Sequence, residues 1–440
     1  MIKCNKQDLK KKSKDELIDE LYDSLVEIDN LKRELRKYKN PNTPPSAHPH
    51  LKPNTQGAGK LGKRGAPLGH KGTTRTQTPD SFEKHDMGEC PNCHGNNLRD
   101  KKVHTRIIEE ILEPVQPKTT LHEVHEKECL DCGLVFAPAT EVPRQGKFGI
   151  NMMVLVIFLR FILRGVLRKS ASFLDTHFAL KMAPASVNAI IGRVAEAAEN
   201  EFGDLKLRIR NGWAVYVDET SFSVLGKKFW VWVFRTSSDV LLVIRPSRGS
   251  DVLHEILGKD YAGKVICDCW SAYSQLKNAI IQRCWAHLLR KSKEMCDTVT
   301  GRHFHEELRA LFQEIKTFNA STPAPEERER KYELMTWKLS RLLKYYSRYP
   351  HLAGVIAYIG KRVDQWFTCV RFPGIEPTNN FAENAIRETV LVRKIIGAFR
   401  SLKGKEHYET IASLLATWQL QKLDLQKELR QMLVRNLCYC

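Results

Sequence analysis

The stretch WAVYVDETSFSVLGKKFWVWVFRTSSDVLLVIRP, residues 213–246, decides the fold. Three runs within it, WAVYVDET, KKFWVWVFRTSS and VLLVIRP, are dense in β-branched and aromatic residues and separated by turn formers. They read as successive strands. A polar stretch holding Leu253 to Leu257 then leads to KVICDC (264–269), a fourth strand. Two of these strands end in an acid: Asp218 follows Ala214–Val217, and Asp268 follows Val265–Cys267. Carboxylates leaving adjacent strand ends can share hard divalent cations, whose preferred ligands are oxygens. Two such ions can activate a nucleophilic oxygen and stabilise the leaving oxygen of a phosphodiester. One acid after a strand is as readily a turn former or a helix cap; the recurrence is what carries weight.

Toward the C-terminus, Ala286 to about Phe372 turns helical, with Leu308, Leu311, Phe312 and Ile315, then Leu339, Leu342, Leu343 and Tyr346, at helical spacing. The acidic-basic run from Pro323 to Arg330 marks a loop entering a charged helix. In PTNNFAENAIRETVLVRK, Asn380, Glu383 and Arg387 lie on one face of a helix beginning near Thr378. Glu383 is then either a third acid for the strand pair or a solvated partner of Arg387. The remainder, to Val434, is mostly helical and basic.

Toward the N-terminus, Ile150 to Asn200 is helical, and SASFLDTHFALKMAPASVNAIIGRVAEAA reads as helix, turn, helix, with Pro184 starting the second. Core packing and DNA binding explain this pair of helices equally well. Residues 85–140 carry CPNCHG and CLDCG, placing Cys90, Cys93, Cys129 and Cys132 in two C-x-x-C knuckles. Four thiolates suit a closed tetrahedral zinc of structural type, in a ribbon with antiparallel strands in VHTRIIEEILEP and KTTLHEVHEKE. Residues 40–84 lack periodicity and are rich in Pro, Gly, Thr, Lys and Arg, as a flexible basic linker is. Such a linker is either a tether or an arm along DNA phosphates. Within 8–39, Leu17, Leu21, Ser24, Ile28, Leu31, Leu35 and Tyr38 form a heptad seam, a short coiled coil or a single amphipathic helix.

Composition bounds the function. In 440 residues, hydrophobic types make up 42% and charged types 28%, which allows a sizeable core and excludes wholesale disorder or a collagen-like chain. Lys and Arg total 70 against 51 acids, a net charge of +19 that suits a polyanionic partner. Nucleic acid is favoured over membrane, because the most apolar run, Ile150 to Leu163, is short of a bilayer span and contains Arg160. The lysine-rich start has no apolar core behind it, unlike a secretory signal. The expected setting is a reducing cytoplasm.

The ordered motifs VDET (217–220), CDCWSAY (267–273), CWAHLLR (284–290) and NNFAENAIR (379–387) resemble those of the DDE transposases of the insertion sequence 66 family. NPNTPPS (40–46), GAPLGHKG (65–72) and ASLLAT (412–417) are similar to further segments of that family, so the resemblance runs through the chain. It implies an RNase H-like catalytic domain over 211–400 with a helical insertion at about 290–375, inside a multidomain α/β chain. Ahead of it stand the coiled-coil helix, the linker, the zinc ribbon and a helical DNA-binding region (148–205); a helical segment (401–440) follows. Asp218, Asp268 and Glu383 become the catalytic triad, holding two Mg2+ ions, with Mn2+ as a substitute. Lys60, Lys63, Arg64, Lys71, Arg290, Arg387, Arg393 and Lys394 become DNA contacts. His287 and Arg290 either lie near the site or serve packing and phosphate contact.

The implied activity is cleavage at transposon ends and strand transfer into target DNA. The expected partners are double-stranded DNA, a second copy of the chain and accessory proteins of the same element, in a bacterial, nucleoid-associated setting. A regulator that binds DNA without cutting, and a nuclease without strand transfer, are the alternatives. The sequence departs from the family where Cys269-Trp270 replaces a glycine after the second acid, and at Trp418 and Gln419.

Overall fold

The computed structural model describes residues 117–132 and 135–439, short pieces at 91–94 and 96–97, and positions 13, 28, 31 and 82. Met1–Glu113 and Pro114–Cys440 are separate compact units. In the first, Ile28 and Leu31 of the heptad seam are helical. The rest of the seam, the four linker cations Lys60, Lys63, Arg64 and Lys71, and Cys90 lie outside the described residues.

The second unit begins with a small antiparallel ladder, β1 (Lys127–Glu128) against β2 (Val135–Phe136), flanking the Cys129–Cys132 turn. The strand expected across KTTLHEVHEKE is not formed: residues 117–126 have no regular secondary structure, and pairing is confined to Lys127 and Glu128. That run has no apolar face to bury, and its Leu121 is 87% exposed. Helices α1 (Ile150–Ile157), α2 (Leu167–Phe178), α3 (Pro184–Ala197) and α4 (Glu199–Arg210) follow. Proline at the start of α3 costs no hydrogen bond, because the first turn's N–H groups have no intrahelical acceptor.

The sheet is built from β3 (Ala214–Val224), β4 (Lys227–Arg235) and β5 (Val240–Arg245), then α5 (Ser250–Leu257), β6 (Lys264–Cys267) and β7 (Ile280–Arg283). Strand order is β5-β4-β3-β6-β7: the first three form an antiparallel meander, and β6 and β7 run parallel to β3. The β3–β4 hairpin turns through Leu225 and Gly226, both at positive φ, which suits a two-residue turn matched to strand twist. Because this hairpin pairs along its whole length, β3 does not stop at Val217, and Asp218 lies within the strand opposite Val233.

Then come α6 (Trp285–Lys293), α7 (Val299–Ala320), α8 (Pro325–Tyr346), α9 (Ala353–Gly360), α10 (Thr368–Arg371) and α11 (Asn380–Ile396). The two-residue strand β8 (Ala398–Phe399) joins the far end of β3, and α12 (Leu402–Leu420) and α13 (Leu425–Leu437) complete the chain. None of the helices in the described residues is long and apolar enough to cross a membrane.

Alternation along the strands sends Val215, Val217, Trp232, Phe234, Val265 and Cys267 into one core with α1–α5, α12 and α13. Tyr216, Phe222, Val231, Val233 and Ile266 enter a second core with α6–α11. The polar stretch before β6 thus proves to be a helix, α5, that buries Val252, Leu253, Ile256 and Leu257.

Both sheet edges are closed by side chains. Along β5, the N–H groups of Val240, Leu242 and Ile244 donate to Thr417 Oγ1 (3.0 Å), Ser413 Oγ (2.8 Å) and Glu409 Oε1 (3.0 Å). Thr417 and Ser413 hydroxyls and Lys405 Nζ return bonds to the carbonyls of Val240, Leu242 and Ile244. Lys405, Glu409, Ser413 and Thr417 recur every four residues, so one face of α12 replaces a missing strand. On β7, Gln282 Oε1 accepts from Cys369 N (2.7 Å), and Thr368 Oγ1 donates to Ile281 O (2.6 Å).

Candidate active site

The period of two that builds the cores also selects the acids. Asp218 shares its face of β3 with Tyr216 and Phe222, and Asp268 follows Cys267 onto the face of Ile266. In the β3–β6 ladder Tyr216 pairs with Ile266, so the same register continued two residues on sets Asp218 level with Asp268, at the C-terminal ends of β6 and of the parallel segment of β3. Helix α11 covers this face and brings Glu383 in its first turn.

The N-terminus of α11 is stitched down. Asn379, fully buried, donates from Nδ2 to Val217 O (2.8 Å) and from its backbone N–H to Cys284 Sγ (3.1 Å). Glu376 N donates to Tyr216 Oη (3.0 Å), and Arg235 Nη1 donates to Phe381 O (2.9 Å). Trp285 N donates to Pro377 O, fixing the start of α6 to the same loop.

Electrostatics couple Asp218 to the acids around it. Burial, then the charge of Glu219, pushes the Asp218 carboxyl up to about 7, with Asp268 and Glu383 adding to the rise. Asp268 Oδ1 accepts from Trp270 N (2.8 Å), which holds the loop after β6. Glu383 Oε1 and His287 Nδ1 approach to 3.7 Å, and both atoms are buried without a hydrogen-bond partner. Buried polar atoms are normally partnered, so the orphaned Glu383 oxygen, on the helix over Asp218 and Asp268, leaves a donor free for a cation. Oxygen donors of this kind suit Mg2+ or Mn2+.

Behind the acids sits an arrangement that sequence reasoning missed. Glu219 points to the opposite face, accepting from Tyr273 Oη (2.6 Å) and Arg248 Nε (2.9 Å). Burial raises its carboxyl against the lowering by these donors. The Arg248 guanidinium lies over the Trp230 and Trp270 rings at 4.6 and 4.0 Å, and Trp270 Nε1 donates to Arg248 O (3.1 Å). The available signal was alternation itself: in a strand buried on both faces, a glutamate next to an aspartate must enter the core opposite to it.

The expected DNA contacts divide. Arg290, Arg387 and Lys394 are exposed, whereas Arg393 is half-buried and donates from Nη1 to Ser221 O and Thr220 Oγ1, tying α11 to β3. Among the cysteines, Cys93 is exposed in the first unit. In the second, backbone donation from Cys132 and Asp131 holds the Cys129 thiol below its ordinary value. An open cleft of about 550 Å3 between 210–213 and 257–264 lies at the opposite ends of β3 and β6, away from the carboxylates.

A mixed sheet with Asp218 and Asp268 at the C-terminal ends of its parallel segment, covered by the helix that carries Glu383, has the placement at which open α/β sheets bind ligands. The match to the family described as "Transposase IS66 family" extends over residues 145–407, from the helices before the sheet through α11 and into α12. The chain belongs to that family of transposases. It is also 28% identical over 269 residues to the uncharacterized protein y4qI of Sinorhizobium fredii. That match covers 52% of this chain and 48% of y4qI, so the chain spans about half the length of the curated relative it matches.

Proposed function

We propose that the protein is a DDE-type DNA transposase that cleaves transposon ends and transfers the freed strand into target DNA. The observation that carries the reading is the gathering of Asp218, Asp268 and Glu383 on one face, with Asp218 pushed up to about 7 by burial and by neighbouring acids. A site so charged and so poorly partnered favours cations. Asp218, Asp268 and Glu383 would hold two Mg2+ ions, or Mn2+ in their place, which supply charge stabilisation at the phosphorus. The sheet around them, an antiparallel meander extended by two parallel strands, supports an RNase H-like core with α7–α10 as its insertion.

The chain's own residues supply position. Asn379 and Arg393 lock α11 to β3, so Glu383 cannot drift from Asp218. Glu219, held by Tyr273 and Arg248, fixes the strand from behind. Exposed Arg290, Arg387 and Lys394 contact phosphates and set register rather than sequence. Lys60, Lys63, Arg64 and Lys71 act likewise from the linker, and the helices within 148–205 contribute to end recognition. Cys90, Cys93, Cys129 and Cys132 bind a structural zinc, a reading supported by their spacing and by the backbone donors around Cys129. Pairing of two element ends requires a homo-oligomer.

The test is a cleavage and joining assay on DNA bearing the element's ends in Mg2+, comparing the wild type with Glu383→Gln. Nicked and joined products from the wild type, with DNA binding alone from the variant, are expected. Nicks without joined products would make the protein a nuclease. Equal binding by both proteins without any cutting, in the presence of the element's other products, would make it a regulator.

A further inference from the structure

Glu383, proposed above as the third acid, also meets a nitrogen and a sulfur. Cys284 Sγ, a His287 ring nitrogen and one Glu383 oxygen lie within 4.8 Å of one another. We propose that these three side chains form a site for a borderline divalent cation of the zinc class, distinct in chemistry from the all-oxygen Asp–Asp–Glu set and sharing Glu383 with it. The inference rests on the reading of Glu383 as the third acid only for its consequence, not for the binding itself.

Three features carry it. His287 Nδ1 and Glu383 Oε1 are buried, lack hydrogen-bond partners, and stand 3.7 Å apart, too far for a hydrogen bond. An ion with bonds of roughly 2.1 Å to each would span that gap at an angle slightly wider than tetrahedral. The spacing also follows from the fold. Cys284 caps the start of α6 and His287 lies one turn on, so both face α11 across the loop that Asn379 pins.

The donors match the cation class. Imidazole and thiolate select zinc and its neighbours over magnesium, which keeps to oxygens. Burial raises the Cys284 thiol, and backbone N–H bonds from Asn379, His287 and Ala286 to its Sγ offset part of that rise. Binding would release the thiol proton to solvent and leave a fourth coordination position open. Occupancy by zinc would draw Glu383 from the aspartates, so zinc would compete with magnesium for the same carboxylate.

The experiment is a metal titration of the full-length protein, independent of any DNA substrate. One equivalent of Zn2+ is added first to fill the cysteine knuckles, and Co2+ is then titrated as a spectroscopic probe. A further equivalent of Co2+ is expected, with visible bands of low-symmetry coordination, a single thiolate charge-transfer band, and resistance to a hundredfold excess of Mg2+. His287→Ala should weaken this Co2+ at least about tenfold, and Cys284→Ser should abolish the thiolate band. Thermal melting of the metal-free variants identifies one that fails to fold. His287, being partly exposed, is the residue expected to tolerate replacement.

Absence of bound Co2+ once the equivalent of Zn2+ is in place in the wild type, or undiminished Co2+ binding in a folded His287→Ala, overturns the proposal. Binding as expected without DNA cleavage would instead sink the transposase reading and leave this site standing.

Discussion

Asp218 and Glu219 are neighbours in sequence and opposites in circumstance. Glu219 enters one side of the sheet and finds two donors, the Tyr273 hydroxyl and the Arg248 guanidinium, itself over two indole rings. Asp218 enters the other side and finds two more acids, with Glu383 carrying an orphaned buried oxygen. Both carboxyls are raised by burial, but Glu219 is answered by two side-chain donors, whereas Asp218 is answered by a backbone N–H, that of Glu219. Satisfied polar groups hold a fold together, and unsatisfied ones mark where something else must bind.

The contrast is broken most directly on the unsatisfied side. Glu383→Gln or Asp268→Asn should lower strand cleavage by about a thousandfold, roughly 4 kcal/mol, while leaving DNA affinity in band-shift assays nearly unchanged. An intact cleavage rate would show that these acids are not the site.

Removing the charge should also stabilise the metal-free fold. Asp218 titrates at about 7 when folded, against an ordinary 3.8, so between those values the folded chain holds a proton that the unfolded chain has lost. Stability therefore falls as pH rises from about 4 to about 7 and stays lowered above. Asp218→Asn should raise stability by about 2–4 kcal/mol at most at pH 8, with the gain shrinking as pH falls toward 4, measured by denaturant unfolding in chelator. Added Mg2+ should stabilise the wild type more than this variant.

On the satisfied side the sign reverses. Glu219→Ala leaves Arg248 and Tyr273 without their acceptor and should cost about 1–3 kcal/mol, less than a fully buried pair because Arg248 is partly exposed. Glu219→Gln, which keeps an acceptor, should cost less. A stability gain in either variant would erase the distinction between the two faces.

The smallest effect lies at the β5 edge. Ser413→Ala or Thr417→Val orphans a buried backbone N–H and should cost about 1–2 kcal/mol each, with cleavage per folded molecule unchanged.

Much of the half that carries the sheet was legible in the sequence. The runs 213–246 and 264–269 carry β-branched and aromatic residues that can only be strands, and their acids stood out against apolar neighbours. The helix bearing Glu383 followed from spacing. Less legible was β7, because IIQR is four residues long and two of them are polar, made tolerable by Gln282's bonds to Cys369 and Trp366. The end of β3 was placed too early, since the residues after Asp218 look polar until β4 is known to pair with them.

Sequence by itself determined the local order of strands and helices, the excess of positive charge and which residue types could bind metal, since these depend on neighbours along the chain. Only the tertiary structure decided that Glu383 meets His287 and Cys284, that Arg393 serves β3, and that α12 closes the sheet. Those outcomes depend on contacts between residues up to 177 positions apart, whose partners no local pattern names.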